Sequence, residues 1–180
     1  MKTFAQSRTT YWRQSLTTGE LFPGYCTDTN ALIDLWRRKY APDVFPSLWG
    51  KIEKLISQGE LIAPREVLNE LEKQDDELLK WAKKHKKMFK DLDNEQQRQV
   101  RNILKEFPRL VDENKETAEA DPFVIALAIS KGWTVITSEQ PANIEANPSA
   151  RPKIPDVCGH YNVKCVYELI EFFREQKWKF

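Results

Sequence analysis

Apolar positions along the chain fall into short continuous runs separated by longer stretches of helical spacing. The first run, "LFPGYCT" at 21–27, predicts a short strand whose start is blurred by Pro23 and Gly24. Thr29 to Lys39 then reads as a helix with Leu32, Ile33 and Trp36 on one side. Leu48, Trp49, Ile52, Leu55 and Ile56 mark a second helix, and Gly59 is its natural terminator. "LIAP" predicts the next strand, followed by a helix from Arg65 to Lys73 with Val67, Leu68 and Leu71 inward. Leu78, Trp81, Ala82, His85, Met88, Phe89 and Leu92 keep helical spacing through a basic segment. Val100, Ile103, Leu104 and Phe107 continue it until Pro108, so the two stripes predict an antiparallel helical hairpin. In "DPFVIALAISKG", Asp121 stands at the N-cap position, Pro122 at the first helical position and Gly132 past the end. "WTVIT" and "VKCVY" are the last strands, and a helix from Glu168 to Gln176 closes the chain. Strands separated by helices need right-handed crossovers, which build a parallel sheet with helices on both faces. There is no internal repeat.

Composition narrows the function without naming it. The 180 residues suit one domain with a real core. Lys and Arg (28) almost balance Asp and Glu (27), so the net charge of +1 carries no global footprint of a nucleic-acid or membrane binder. Cys26, Cys158 and Cys165 are too few and too scattered for a disulfide framework or a paired C-x-x-C zinc site, which predicts a reducing setting. The N-terminal stretch has no apolar run of signal-peptide type, and no segment has the length of a membrane span, so the expected location is cytoplasmic with no membrane partner.

The chemistry lies in the acids. In an open parallel sheet the functional crevice forms at the carboxyl ends of the strands. Asp28 follows the first strand, Glu139 follows "WTVIT" by two residues, and Asp121 opens the helix that feeds that strand. Glu70 lies two thirds along the helix after "LIAP", from where a long side chain reaches back over the strand end. Four carboxylates from remote elements can therefore converge. Their repulsion is relieved by a divalent cation, and oxygen-only ligands select Mg²⁺ or Mn²⁺. Such a site suits hydrolysis of a phosphodiester by activated water.

The series "YCTDTNALIDLW", "IAPREVLNELEK" and "ADPFVIALAISKGWTVITSEQ" resembles, in order and context, the motifs of PIN-domain ribonucleases, especially toxins of toxin–antitoxin pairs. The resemblance runs from about Leu21 to the C-terminus. It implies a three-layer α/β/α sandwich with a central parallel sheet of four or five strands, beside which the helical hairpin would lie. It also implies Mg²⁺- or Mn²⁺-dependent RNA cleavage that leaves 5′-phosphate and 3′-hydroxyl ends. The acids of the family map onto Asp28, Glu70, Asp121 and Glu139 as catalytic and metal-binding residues. Thr29 and Asn30 match the "DTN" signature, and Thr137 the hydroxyl residue two before the fourth acid. Implied partners are RNA and an antitoxin protein, with room for a homodimer. Three features depart from the pattern. The fourth acid is Glu where Asp is commoner; residues 1–20 precede the domain proper at 21–180; and the late "KIPDVCGHY" resembles a less studied subgroup and adds Asp156 at the same edge.

Plainer roles stand beside these. Asp28 and Asp121 can cap the helices they precede. Glu70 can be a solvated surface acid, Glu139 a loop residue and Asp156 a turn residue, while Thr29, Asn30 and Thr137 can simply hold the turn or support the acids. Lys83, Lys84 and Lys87 lie opposite the apolar stripe of "KWAKKHKKMFKD", where they can meet RNA phosphates or only solvent. The long proline-rich connection at 140–155 is expected to border the cleft, with Arg151 and Lys153 as phosphate contacts. His85 falls on the apolar stripe and His160 has no recognisable partner, so a nucleophilic triad has no support. Two alternatives remain: a non-catalytic module with the same fold, and a phosphatase using Asp28 as nucleophile, for which Asn30 stands where a second Asp is needed.

Overall fold

A computed structural model describes residues 24–73, 76–112 and 119–180. The proposed extension at 1–20 and the first residues of the "LFPG" run lie outside the described residues. Within them the chain forms β1 (Tyr25–Thr27), α1 (Thr29–Ile33), α2 (Pro46–Gln58), β2 (Leu61–Pro64), α3 (Arg65–Glu72), α4 (Glu77–Lys84), β3 (Phe89–Lys90), α5 (Asn94–Glu106), α6 (Asp121–Lys131), β4 (Thr134–Ile136), α7 (Ile154–His160), β5 (Cys165–Val166) and α8 (Leu169–Glu175). The five strands make one parallel sheet in the order β3-β2-β1-β4-β5, flanked by helices as a three-layer α/β/α fold.

β1, β2 and β4 are buried at every position, which explains why they read as continuous apolar runs and not as alternation. The register pairs Cys26 with Ile62 on one side and with Val135 on the other. The chain steps outward from β1 through β2 to β3, then crosses back to β4 and β5. Right-handed crossovers therefore put α1 to α4 on one face and α5 to α7 on the other. Ring contacts agree: the edge of Tyr25 meets Phe172 of α8 at 4.9 Å, and Tyr40, just past α1, meets Phe173 at 5.0 Å. On the first face Trp36, Trp49 and Trp81 cluster at centroid distances of 4.7 to 5.7 Å, as expected of core tryptophans. Trp133 packs so closely on the start of β1 that a Cβ at Gly24 would come within 2.6 Å of its ring.

Several boundaries differ from expectation for identifiable reasons. α1 continues into a π-wound stretch, Asp34–Lys39, which the side-chain pattern alone does not distinguish from an α-helix. The basic helix ends at Lys84; after one 3₁₀ turn the chain extends as β3, so an edge strand separates the two helical stripes, and α4 follows α3 while α5 packs on α6. Phe89 is buried and Lys90 exposed, a two-residue alternation hidden inside a stripe of period 3.6. α7 begins at Ile154, where the proline-rich connection was expected to continue. No described helix is long and apolar enough to cross a membrane.

Candidate active site

The strand order reverses between β1 and β4, so the crevice of this sheet opens over the carboxyl ends of those two strands. Asp28 sits at its floor with no solvent exposure. Its backbone N–H donates to Ile136 O (3.1 Å), so the residue is fixed to the end of β4 as well as to β1. Its Oδ1 accepts from Ala31 N at 2.7 Å, capping α1, and its Oδ2 accepts from the Thr137 hydroxyl at 2.6 Å. The Thr137 oxygen in turn accepts from Glu139 N at 3.0 Å. Asp28 is thus both a helix cap and a site carboxylate. Burial, helped by the charges of Glu139 and Glu70, pushes it up to about 7 against these hydrogen bonds.

Asp121 differs from the expected N-cap. Ala120 caps α6, and Asp121 occupies the first helical position with Pro122 second; its side chain makes no capping bond. Loss of solvation, with the charges of Glu139, Asp28, Glu70 and Glu119 behind it in this order, raises its carboxyl to about 8.

Glu70 reaches back along α3 as expected. Its Oε1 accepts from Ala120 N at 2.9 Å and its Oε2 takes the Thr29 hydroxyl, so α1, α3 and the entry to α6 are tied through one carboxylate. Glu139 is turned toward α7: Oε1 meets Lys153 Nζ at 3.1 Å, and Oε2 accepts from Ile154 N at 3.2 Å. Asn30 is exposed on the first turn of α1.

Asp156 is at the same edge but does not join the acids. Its oxygens accept from Ala142 N (2.9 Å), Asn143 N (3.0 Å) and Lys153 N (2.9 Å), folding the 140–153 connection onto the start of α7. Arg151 donates to Leu110 O at 3.0 Å and Glu119 Oε2 at 2.9 Å. Both cations of the connection therefore stand against acids at the cleft rim. Lys83, Lys84 and Lys87 are exposed on and after α4, where Lys83 faces Glu72 of α3 at 3.7 Å. Sequence reasoning missed Glu119; its place two residues before Asp121, at the entry to the same helix, was the available signal.

These groups suit a hard divalent cation by donor type: oxygen ligands only, mutually repelling, two of them held toward the protonated form. Among the described residues no three such side chains stand ready as a cage. The reason is visible in the hydrogen bonds, since Glu70 and Glu139 each point an oxygen at a backbone N–H and at a side-chain donor. Ligation by either would require it to turn from those donors.

Fold and crevice together define an α/β protein with an acid-lined cleft at the switch point of a parallel sheet. The family model described as a domain of unknown function (DUF4411) matches residues 25–180, and the chain belongs to that family. No curated protein matches it.

Proposed function

We propose that the protein is a metal-dependent endoribonuclease of PIN-like type. What supports this reading is that Asp28, at the end of β1, and Asp121, at the start of α6, are both stripped of solvation and both raised by the charges of Glu139 and Glu70. A fold that needed only helix caps would gain nothing from placing them together.

In this reading Asp28 and Asp121 would hold Mg²⁺ or Mn²⁺, and Glu70 and Glu139 would complete the set by turning from their present donors. The bound cation would supply charge neutralisation at the phosphodiester and a more acidic water. Thr137 orients Asp28 through its hydroxyl, and Thr29 does the same for Glu70. Arg151 and Lys153, 43% and 40% exposed at the rim, are placed to meet substrate phosphates on one side while holding Glu119 and Glu139 on the other. Asp28 and Asp121 would have to be deprotonated to hold the cation, so binding should tighten as pH rises through about 7 to 8. An antitoxin partner follows from the motif resemblance alone.

A second reading, a non-catalytic interaction module, draws on the engagement of Glu70 and Glu139 with donors of the fold. Titration with Mn²⁺, followed by calorimetry and by cleavage of a structured RNA, separates the two. The nuclease reading requires stoichiometric binding and cleavage, both lost in Asp121→Asn. Failure of the folded wild-type chain to bind Mn²⁺ sinks it.

A further inference from the structure

Beside the acid cleft lies a cavity of about 330 Å³ between the start of α3, the β3–α5 turn, α5 and α6. Arg65, Glu66, Asp91, Gln97, Arg101 and Phe123 are among its lining residues. Three of them stand on helices that carry site acids: Arg65 and Glu66 in α3, Glu66 one turn ahead of Glu70, and Phe123 in α6, two residues past Asp121. Side chains four apart on a helix are about 5–6 Å apart at Cβ, within the reach of a single nucleotide.

The chemistry of the lining is specific. Glu66 Oε2 is enclosed and has no hydrogen-bond partner among the described residues. Leaving a buried acceptor without a donor is costly, so the position calls for one. Burial raises the Glu66 carboxyl and the charge of Asp91 adds to that, while its own backbone N–H and the charge of Arg65 hold it back. Arg65 gives Oε2 no hydrogen bond, because its guanidinium forks onto Asp91 at 3.0 and 3.3 Å. Gln97 donates to Leu92 O at 3.1 Å and keeps its amide oxygen as a second acceptor. Phe123 supplies an aromatic surface. Arg101 is exposed and has no ion-pair partner among the described residues.

We propose that this cavity is a subsite for one unpaired nucleobase carrying an exocyclic amino group. Phe123 stacks on the base, Glu66 accepts from its amino group, and Arg101 meets the neighbouring phosphate. The identification of the polymer as RNA rests on the nuclease reading; the base pocket itself rests on the cavity. Unpaired bases are commonly held on aromatic side chains and read along their polar edges. Adenine, cytosine and guanine each present an amino donor, whereas uracil presents a carbonyl at that place, whose lone pairs would face those of Glu66. The volume is at the low end of small-molecule pockets and suits one base.

The test is a calorimetric titration of the full chain, without metal, against the 5′-monophosphates of adenosine, cytidine, guanosine and uridine. The three amino-bearing nucleotides should bind, with the uridine nucleotide roughly tenfold weaker. Glu66→Gln, whose amide offers both donor and acceptor, should bring uridine within about twofold of the others. Phe123→Ala should weaken all four, and Arg101→Ala should weaken the monophosphates while leaving the free nucleosides unchanged. Equal binding of all four by the wild type, or an unchanged ranking in folded Glu66→Gln, overturns the proposal. Metal-dependent RNA cleavage without any such ranking would remove the subsite and keep the nuclease; a ranking in a chain that cuts no RNA would do the reverse.

Discussion

Asp156 and Asp121 occupy the same edge of one sheet and have opposite surroundings, with Asp28 sharing both kinds: two donors on its oxygens and acids beyond them. Asp156 is ringed by three backbone N–H donors within 3.0 Å, each a group that the loop at 140–153 and the α7 N-terminus would otherwise leave unpaired. Asp121 makes no capping bond, and its neighbours are Glu139, Asp28, Glu70 and Glu119. An acid among donors is structure, while an acid pressed by other acids is a liability to the metal-free fold, which the proposed cation would relieve. Glu139 lies between these cases, close enough to raise both aspartates yet pointed at Lys153 and Ile154.

The contrast breaks most sharply at its two ends. Asp121→Asn and Asp28→Asn should each lower RNA cleavage by at least about 10²-fold while leaving the fold intact, read as initial rates beside circular dichroism. The same substitutions should stabilise the metal-free protein at alkaline pH. An unfolded Asp titrates near 4, and these two titrate near 7 and 8 in the native state, so the native state binds more protons between those limits. Their contribution to stability is therefore greatest in acid and is lost as pH climbs to about 8, by on the order of a few kcal/mol. Urea melts from pH 5 to 9 should show that decline in the wild type and a flatter profile in either variant; a steeper fall in the variants would refute the assignment. Asp156→Ala should do the opposite, costing about 3 kcal/mol, or roughly 6–12 °C in Tm, with Mn²⁺ affinity unchanged.

Which parts were legible beforehand follows from the same physics. Asp28 and Asp121 could be placed because each stands at a transition between patterns, a buried run ending at β1 and a helix starting at Asp-Pro, and Glu70 because its helix starts directly after the buried run of β2. β3 could not, because two residues of alternation inside "KKMFKDL" also satisfy a helical stripe, and only pairing of Phe89 with Ala63 decides between them. α7 was obscured by Pro155, which reads as the end of the proline-rich connection although Pro is well tolerated in a first helical turn. The Asp121 cap was misplaced by one residue, and that single position separates a carboxylate bonded to its own helix from one left for the cleft. Glu119 and the turn of Glu139 toward α7 depend on where the 140–153 connection folds, which no local pattern encodes.

A finer break lies at Thr137, whose hydroxyl is the one link from Asp28 to the backbone of Glu139. Thr137→Val preserves shape and removes that link; Mn²⁺ affinity should fall by about 10- to 100-fold, and the buried Asp28 oxygen left without its donor should cost about 1–3 kcal/mol of stability. An affinity equal to wild type would mean that Asp28 needs no orientation.

The smallest expected effect decides the standing of Glu139. If this carboxylate completes the cation site it must leave Lys153, so Lys153 and the cation compete for the same oxygen. Lys153→Gln removes the competing charge and should tighten Mn²⁺ binding about two- to fivefold, the size expected for a partly exposed ion pair, even as it weakens RNA binding at the rim. Calorimetry without RNA isolates the first effect. Unchanged Mn²⁺ affinity would assign Glu139 to the anchoring of α7 with Asp156, and leave the cation to Asp28, Glu70 and Asp121.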